Sequence, residues 1–191
     1  MYVKKEAHMD LRMVKTRRQI RSAFLKLREK LMPEDIKVKD ICDAAMINKT
    51  TFYNHYTDSI ALSNEIDNGV IDSIIASFSE WNKIFDDPRI YAKNLLLALE
   101  KNSDEIKAVF RGKQGVLCEK LEDRLCRMCQ SMAKSSQDLM LMSFAIGGFV
   151  RVGNDYLFSG KKYNFDEISE CSAKILEALI RQKNIFSQEM I

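Results

Sequence analysis

Residues 37–56, K-V-K-D-I-C-D-A-A-M-I-N-K-T-T-F-Y-N-H-Y, decide the fold that this sequence predicts. The apolar side chains of the first half are spaced as one face of a short helix: Val38, Ile41, Cys42 and Ala45. A break at residues 46–48 is followed by a second short helix over about 49–56, with Phe52 and Tyr56 on its inner face. Two short helices joined by about three residues are the plan of a helix-turn-helix.

A longer amphipathic helix precedes this stretch and ends before Pro33. Its apolar positions recur at helical spacing from Thr16 onward: Ile20, Ala23, Phe24, Leu27 and Leu31. Residues 1–13 show no periodicity, and we expect them to form a flexible arm. The first 57 residues are therefore predicted to be a three-helix domain.

The outer face of the third helix is rich in hydrogen-bonding side chains and lacks acidic residues between Ile47 and Thr57. Hydroxyls, an amide, an imidazole and a lysine can contact phosphates or read base edges in a major groove. These candidates are Lys49, Thr50, Thr51, Tyr53, Asn54 and His55. A helix that only completes a bundle would more usually carry Glu and Lys outside, so the pattern favours DNA reading.

Composition supports a helical protein with a basic head. Hydrophobic residues make up 46% and charged residues 30%, with only 7 Gly and 2 Pro. The net charge of +3 divides into +6 over residues 1–57 (13 Lys/Arg, 7 Asp/Glu) and −3 over 58–191 (17 and 20). A basic segment on a mildly acidic remainder is typical of a polyanion-binding head, although solvated surfaces also carry such charge.

The cysteines and the apolar runs indicate a cytoplasmic protein. The chain has five cysteines, and because this number is odd it fits a reducing compartment better than a disulfide framework. The longest apolar run, 139–150, is interrupted by Ser143, Gly147 and Gly148 and is shorter than the roughly 20 residues of a membrane span. We therefore expect no membrane partner.

The remainder of the sequence predicts a second domain over residues 58–191 that is also helical. Asp58 is placed to cap a helix that continues to Trp81, and Asp86-Asp87-Pro88 breaks the pattern. Further helices are expected at 91–99, 103–110, about 116–132, about 136–158 and about 166–186. The predicted fold class is all-α, with about nine helices: a helix-turn-helix domain (1–57) and a helical bundle domain (58–191).

Residues 37–56, together with Thr16–Ile20 and Ala23–Phe24, resemble the tetracycline-repressor (TetR) family of regulators, specifically over about 15–66. The resemblance implies a homodimer on a palindromic double-stranded DNA operator, with one third helix in each of two major-groove segments. It implies base contacts from Lys39, Lys49, Thr50, Thr51 and Asn54. It implies phosphate contacts from Tyr53 and His55, with Arg17 and Arg18 on the flanking backbone. Lys37 and Asn48 complete the candidate set.

Three positions depart from the family pattern. Met46 stands where Gly is usual in the turn, Lys37 replaces the usual Thr or Ser cap, and Ser59 replaces a common phosphate-binding Lys. These departures leave open a different interpretation, a helical adaptor or coactivator that acts through protein contacts with weak or no DNA binding.

The second domain is expected to hold a dimer interface and a pocket for an unknown small-molecule effector. The helix containing residues 144–149 resembles the dimerising helix of some family members. Interface candidates are Ala145, Gly148, Phe149, Val152, Tyr156, Cys171, Ile175 and Leu179. Pocket candidates are Phe78, Trp81, Phe85, Tyr91, Phe110, Met128 and Phe144. Such apolar side chains are also ordinary core residues.

Nothing in the sequence predicts an enzyme, a cofactor or a metal site. Cys126-x-x-Cys129 with Cys118 lies inside a helical pattern without a nearby histidine, and packing cysteines are the better interpretation. Catalytic motifs such as a glycine-rich phosphate loop are missing. The sequence thus predicts a sequence-specific transcriptional regulator, a repressor released from its operator by an effector.

Overall fold

The computed structural model describes residues 2–78, 87–130, 133–160 and 163–188 of the 191-residue chain. Over these residues the chain is helical and contains no strand, which confirms the predicted all-α class. The helices are α1 (Tyr2–Arg28), α2 (Val38–Ala45), α3 (Lys49–Tyr53), α4 (Ser59–Ser77), α5 (Pro88–Lys101), α6 (Ser103–Phe110), α7 (Gln114–Gln130), α8 (Ser136–Phe158) and α9 (Phe165–Gln188). A 3₁₀ turn, Pro33–Asp35, precedes α2.

The chain divides into two compact units, Met1–Gly69 and Val70–Ile191. The boundary falls about a dozen residues beyond the one expected at 57/58. The physical reason lies in α4, whose first half buries Leu62 and Ile66 and joins the first unit. The predicted cap of α4 is confirmed, since an Asp58 carboxylate oxygen accepts a hydrogen bond from the Ala61 amide at 2.7 Å.

The core of the first unit consists of the side chains that the helical spacing placed inward. Ile20, Phe24, Ile41 and Phe52 are fully or almost fully buried, and Tyr56 is buried beside them. Each such side chain contributes about 1.5–3 kcal/mol of transfer free energy when it leaves water. Burial of the apolar faces of α1, α2 and α3 therefore holds the helix-turn-helix together.

The flexible arm expected over residues 1–13 is not observed, because α1 begins at Tyr2. This stretch contains no Gly or Pro and is rich in Lys, Glu, Met, Leu and Arg, which favour helix. From Leu11 onward its apolar side chains are exposed: Leu11, Met13 and Val14. Apolar periodicity reports burial rather than helicity, so the sequence pattern could not reveal this part of α1.

In the second unit, α5 packs on α9 and α7 packs on α8. Its core is formed mainly by fully or almost fully buried apolar side chains, among them Tyr91, Leu95, Ile106, Phe110, Leu121 and Ile146. A Cβ at Gly153 would lie 2.5 Å from a methyl group of Leu99, so α8 approaches α5 closely at this glycine.

Met46 ends α2 in a left-handed conformation, with φ 53° and ψ 48°. The Ile47 amide donates to the carbonyl of Cys42 at 3.0 Å, as in a helix that ends through a left-handed residue. Glycine is common at such positions because it has no Cβ to collide with the backbone. The Met46 side chain is 90% exposed and offsets none of this strain by packing.

We predict that Met46→Gly stabilises the protein by about 0.5–1 kcal/mol. The substitution removes a left-handed strain of roughly 1–2 kcal/mol, and the greater freedom of glycine in the unfolded chain offsets part of this gain. Urea unfolding would measure the difference. Ala44→Gly, at an exposed position inside α2, is the matched control and should instead destabilise by about 1 kcal/mol. A destabilising Met46→Gly would contradict the strain argument.

Candidate nucleic-acid interface

Helix α3 has one buried and one exposed face. Phe52 is fully buried and its ring meets the ring of Tyr53 edge to face, with centroids 5.6 Å apart. Lys49, Thr50 and Asn54 are exposed, and Tyr53 is 55% exposed. Helical hydrogen bonds continue beyond α3, since the Tyr56 amide donates to the Phe52 carbonyl at 3.0 Å. Four of the predicted donors, Lys49, Thr50, Tyr53 and Asn54, are thus exposed, while Thr51 and His55 are half-buried.

Asn48 starts α3. Its side-chain oxygen accepts hydrogen bonds from the Thr51 amide at 2.7 Å and from the Thr51 hydroxyl at 2.9 Å. This is the usual geometry of a helix N-cap. The side chains of Asn48 and Thr51, both predicted to contact DNA, therefore also have a structural role that the sequence analysis did not assign.

Lys37 and Lys39 are exposed at the start of α2. A lysine side chain offers no acceptor and cannot cap a helix. The cap interaction present comes from Asp40, whose carboxylate accepts from the Lys37 backbone amide at 3.2 Å. Both ammonium groups are left at the surface, where they can approach a polyanion.

Arg17, predicted to lie on the DNA backbone, has protein partners in this structure. Its Nε donates to the Tyr56 hydroxyl at 3.2 Å and to Glu65 Oε1 at 3.2 Å, and its Nη2 pairs with Glu65 Oε2. The Tyr56 hydroxyl donates to Glu65 Oε1 at 2.9 Å, and the guanidinium carbon lies 5.5 Å from the centre of the Tyr56 ring. We call these three residues the Arg17 cluster. Arg18 is exposed.

The Arg17 cluster is an ion pair at neutral pH. Burial raises the pKa of Glu65, but hydrogen bonds from Arg17 and Tyr56 outweigh this effect and hold that pKa below its ordinary value. The hydrogen bond to Glu65 raises the pKa of the Arg17 guanidinium further. Burial raises the pKa of Tyr56, which remains a neutral donor. Sequence reasoning missed Glu65, because nothing local links it to Arg17, 48 positions away.

Six of the eight predicted dimer residues line one apolar groove of about 230 Å³ on α8 and α9. They are Ala145, Gly148, Phe149, Val152, Ile175 and Leu179. Ser172 and Leu176 also line it and were missed, although their helical spacing from Ile175 and Leu179 was a usable signal. Tyr156 instead donates a hydrogen bond to Glu100 at 3.1 Å, and Cys171 is exposed on α9.

Phe144 was predicted to line the effector pocket, and the structure places it on the surface of α8. Phe144 is 73% exposed and lines the α8–α9 groove. It lies four residues before Gly148, a spacing that puts both on one helix face. The groove therefore has an exposed aromatic side chain on α8 and a 57% exposed Ile175 on α9.

The other predicted pocket residues are mostly core residues of the second unit. Phe78 and Tyr91 pack edge to face with ring centres 5.1 Å apart, and Phe110 is fully buried. Met128 is half-buried on α7, while Trp81 and Phe85 lie outside the described residues. The Tyr91 hydroxyl is buried and finds no hydrogen-bond partner among the described residues, and burial raises its pKa.

The cysteines are distributed through the described structure as single thiols: Cys42 and Cys129 are buried, Cys118 and Cys126 half-buried, and Cys171 exposed. Among the described residues, no group of three or more His, Cys, Asp or Glu side chains is arranged to hold a metal ion. Within the same residues, every helix is too short or too polar to cross a membrane.

Comparison with known proteins gives structural likenesses only. No protein-family model matches the sequence, and no curated protein matches it. The structure is similar to the crystal structure of a TetR transcriptional regulator from Streptococcus agalactiae 2603V, with a TM-score of 0.67 and 18% identity over 90% of this chain and 98% of that one. It is also similar to the dihydroxyacetone kinase operon activator DhaS, with a TM-score of 0.51 and 18% identity over 88% and 97%.

At 18% identity, no residue role follows from either similar structure. What the likeness does establish is the architecture, over nine-tenths of the chain. The chain has the all-α fold of TetR transcriptional regulators.

Proposed function

We propose that this protein is a DNA-binding transcriptional regulator that reads duplex DNA with the outer face of α3. The observation that carries the proposal is the division of α3 between a fully buried Phe52 and an exposed, acid-free face of donors. The ammonium, hydroxyl and amide groups of this face point to solvent and are the side-chain types that contact phosphates and base edges. The fold shared with a solved TetR regulator supports this function by analogy.

Charge on the same surface gives the proposed complex its affinity. Lys37, Lys39 and Lys49 are exposed at the starts of α2 and α3. Each lysine that neutralises a phosphate releases condensed counterions, so binding should weaken steeply as salt is added. Thr50, Tyr53 and Asn54, exposed beside Lys49, then supply contacts that depend on sequence or fix the register.

The acting species is proposed to be a homodimer that joins through the α8–α9 groove. Phe144 and Ile175 are large apolar side chains left in water at this groove, and association with a second copy would bury them. A two-fold interface presents the same surface from both subunits. Such a dimer carries two α3 helices and matches a palindromic operator.

The finer part of the proposal is that occupancy of the operator represses and that a small molecule held in the second unit releases the protein. The Tyr91 hydroxyl, which has no hydrogen-bond partner within the described part of the chain, supports an interior ligand, because a buried donor without a partner costs free energy that a bound acceptor would recover. The ligand must bind the released state more tightly than the DNA-bound state, since equal affinity shifts no equilibrium.

We predict that Lys49→Ala and Tyr53→Phe weaken binding to a duplex of mixed sequence. Loss of the Lys49 ammonium should reduce the slope of log K against log salt by about 0.9 per protomer. Loss of the Tyr53 hydroxyl should weaken binding by roughly fivefold, the equivalent of one hydrogen bond. Fluorescence anisotropy over a salt series would measure both effects.

Lys107→Ala, which removes an exposed lysine from α6, is the matched control and should leave affinity and slope unchanged. Equal behaviour of Lys49→Ala and Lys107→Ala would remove α3 from the proposed interface. No binding by the folded wild-type protein, even at low salt, would favour the adaptor interpretation.

We predict that Ile175→Glu converts a dimer into a monomer, because two carboxylates would be forced into an apolar interface. Sedimentation velocity at micromolar concentration would show the change, with circular dichroism confirming that the helices persist. Ile60→Glu introduces the same charge at a comparably exposed isoleucine, 67% exposed on α4, and should remain dimeric. A wild-type monomer, or a dimer that survives Ile175→Glu, would contradict the interface.

A further inference from the structure

The Arg17 cluster joins three helices of the first unit. Arg17 lies on α1, Tyr56 ends the helical hydrogen bonding that begins in α3, and Glu65 lies on α4. The carboxylate of Glu65 accepts from both other members, so it is the centre of the cluster. The proposed reading face of α3 does not use these contacts.

The position of the guanidinium makes this arrangement relevant to DNA. Arg17 stacks over the ring of Tyr56, which directly follows His55 and lies one helical turn beyond Tyr53. The cation therefore lies close to the chain segment that carries the proposed reading face, because Tyr56 itself packs against Phe52 of α3 with ring centres 5.8 Å apart. Its side chain is 55% exposed, so it is open to a polyanion.

A DNA phosphate and the Glu65 carboxylate would compete for the guanidinium of Arg17. A guanidinium presents a planar fork of N–H donors that matches a carboxylate and a phosphate equally well. Glu65 already occupies that fork with both of its oxygens, and its own hydrogen bond from Tyr56 keeps it in place. An arginine held in this way releases few counterions when DNA approaches.

We propose that Glu65 withholds Arg17 from the DNA backbone, so that this cation adds nothing to sequence-independent DNA affinity while the cluster is intact. Glu65 is in this sense a positioning residue that limits how tightly the protein holds any duplex. The inference rests on the proposed function, because it concerns the same DNA-binding surface.

The test compares four proteins on one duplex of mixed sequence: the wild type, Glu65→Gln, Arg17→Gln and the double variant. Fluorescence anisotropy over a salt series gives the slope of log K against log salt for each. Glu65→Gln should steepen the slope by about 0.9 per protomer. Each fourfold dilution of salt should then raise the DNA affinity of Glu65→Gln, relative to that of the wild type, by a further factor of about 3.5 per protomer. Arg17→Gln alone should keep the wild-type slope, and the double variant should return to it.

Each alternative outcome overturns the inference. An unchanged slope in Glu65→Gln shows that no cation was withheld, and a flatter slope in Arg17→Gln shows that Arg17 already contacts DNA. A steep slope that persists in the double variant assigns the effect to another cation, Arg21 being near enough to lower the pKa of Glu65. Thermal unfolding followed by circular dichroism checks that each variant folds. If Glu65→Gln does not fold, a flatter slope in Arg17→Gln still overturns the inference.

Glu29→Gln is the charge-matched control, since Glu29 is exposed just after α1 and belongs to the same unit. An equal effect of this substitution would reduce the result to net charge and overturn the inference. If the wild type binds DNA and Glu65→Gln behaves like it, only this inference fails. If none of the four proteins binds, the proposed function fails and the inference falls with it.

Discussion

The burial of Phe52 is the interaction on which the proposed reading surface depends. Helix α3 has only five residues, far fewer than an isolated helix needs to be stable in water. It forms because Phe52 enters a core with Ile20, Phe24 and Ile41 and because Asn48 caps its first turn. The direction of Phe52 in turn fixes the opposite face, so the exposure of Lys49 and its neighbours follows from a packing constraint.

Two residues of the first unit depart from what local stability alone would favour. Met46 holds a left-handed conformation that glycine would adopt without strain, and its side chain remains in water. Glu65 neutralises a cation beside a face that otherwise carries only positive or neutral groups. Such departures concentrate at functional sites, where a sequence is constrained by more than the stability of its fold. The Glu65 contact has a defined chemical consequence, because carboxylate and phosphate need the same donors of Arg17.

The sequence was sufficient for the helix order and for the buried face of the first unit, because both leave a periodic trace of apolar residues such as Ile20, Phe24 and Phe52. It was insufficient where no such trace exists. The start of α1 at Tyr2 was not predicted, because residues 1–13 show no apolar periodicity. The partner of Arg17 could not be found, since ion pairs between distant positions have no sequence period. The place of Phe144 on the α8–α9 groove was not predicted, although its spacing from Gly148 indicated it.

DNA recognition through α3 is the central claim, and selection from a library tests it most directly. The purified protein would be titrated against random duplex DNA, and the bound fraction would be sequenced. DNA recognition through α3 predicts enrichment of a palindromic site whose two half-sites lie one helical turn or a multiple apart, as two α3 helices of a two-fold dimer require. A folded, dimeric protein that enriches no sequence would contradict it.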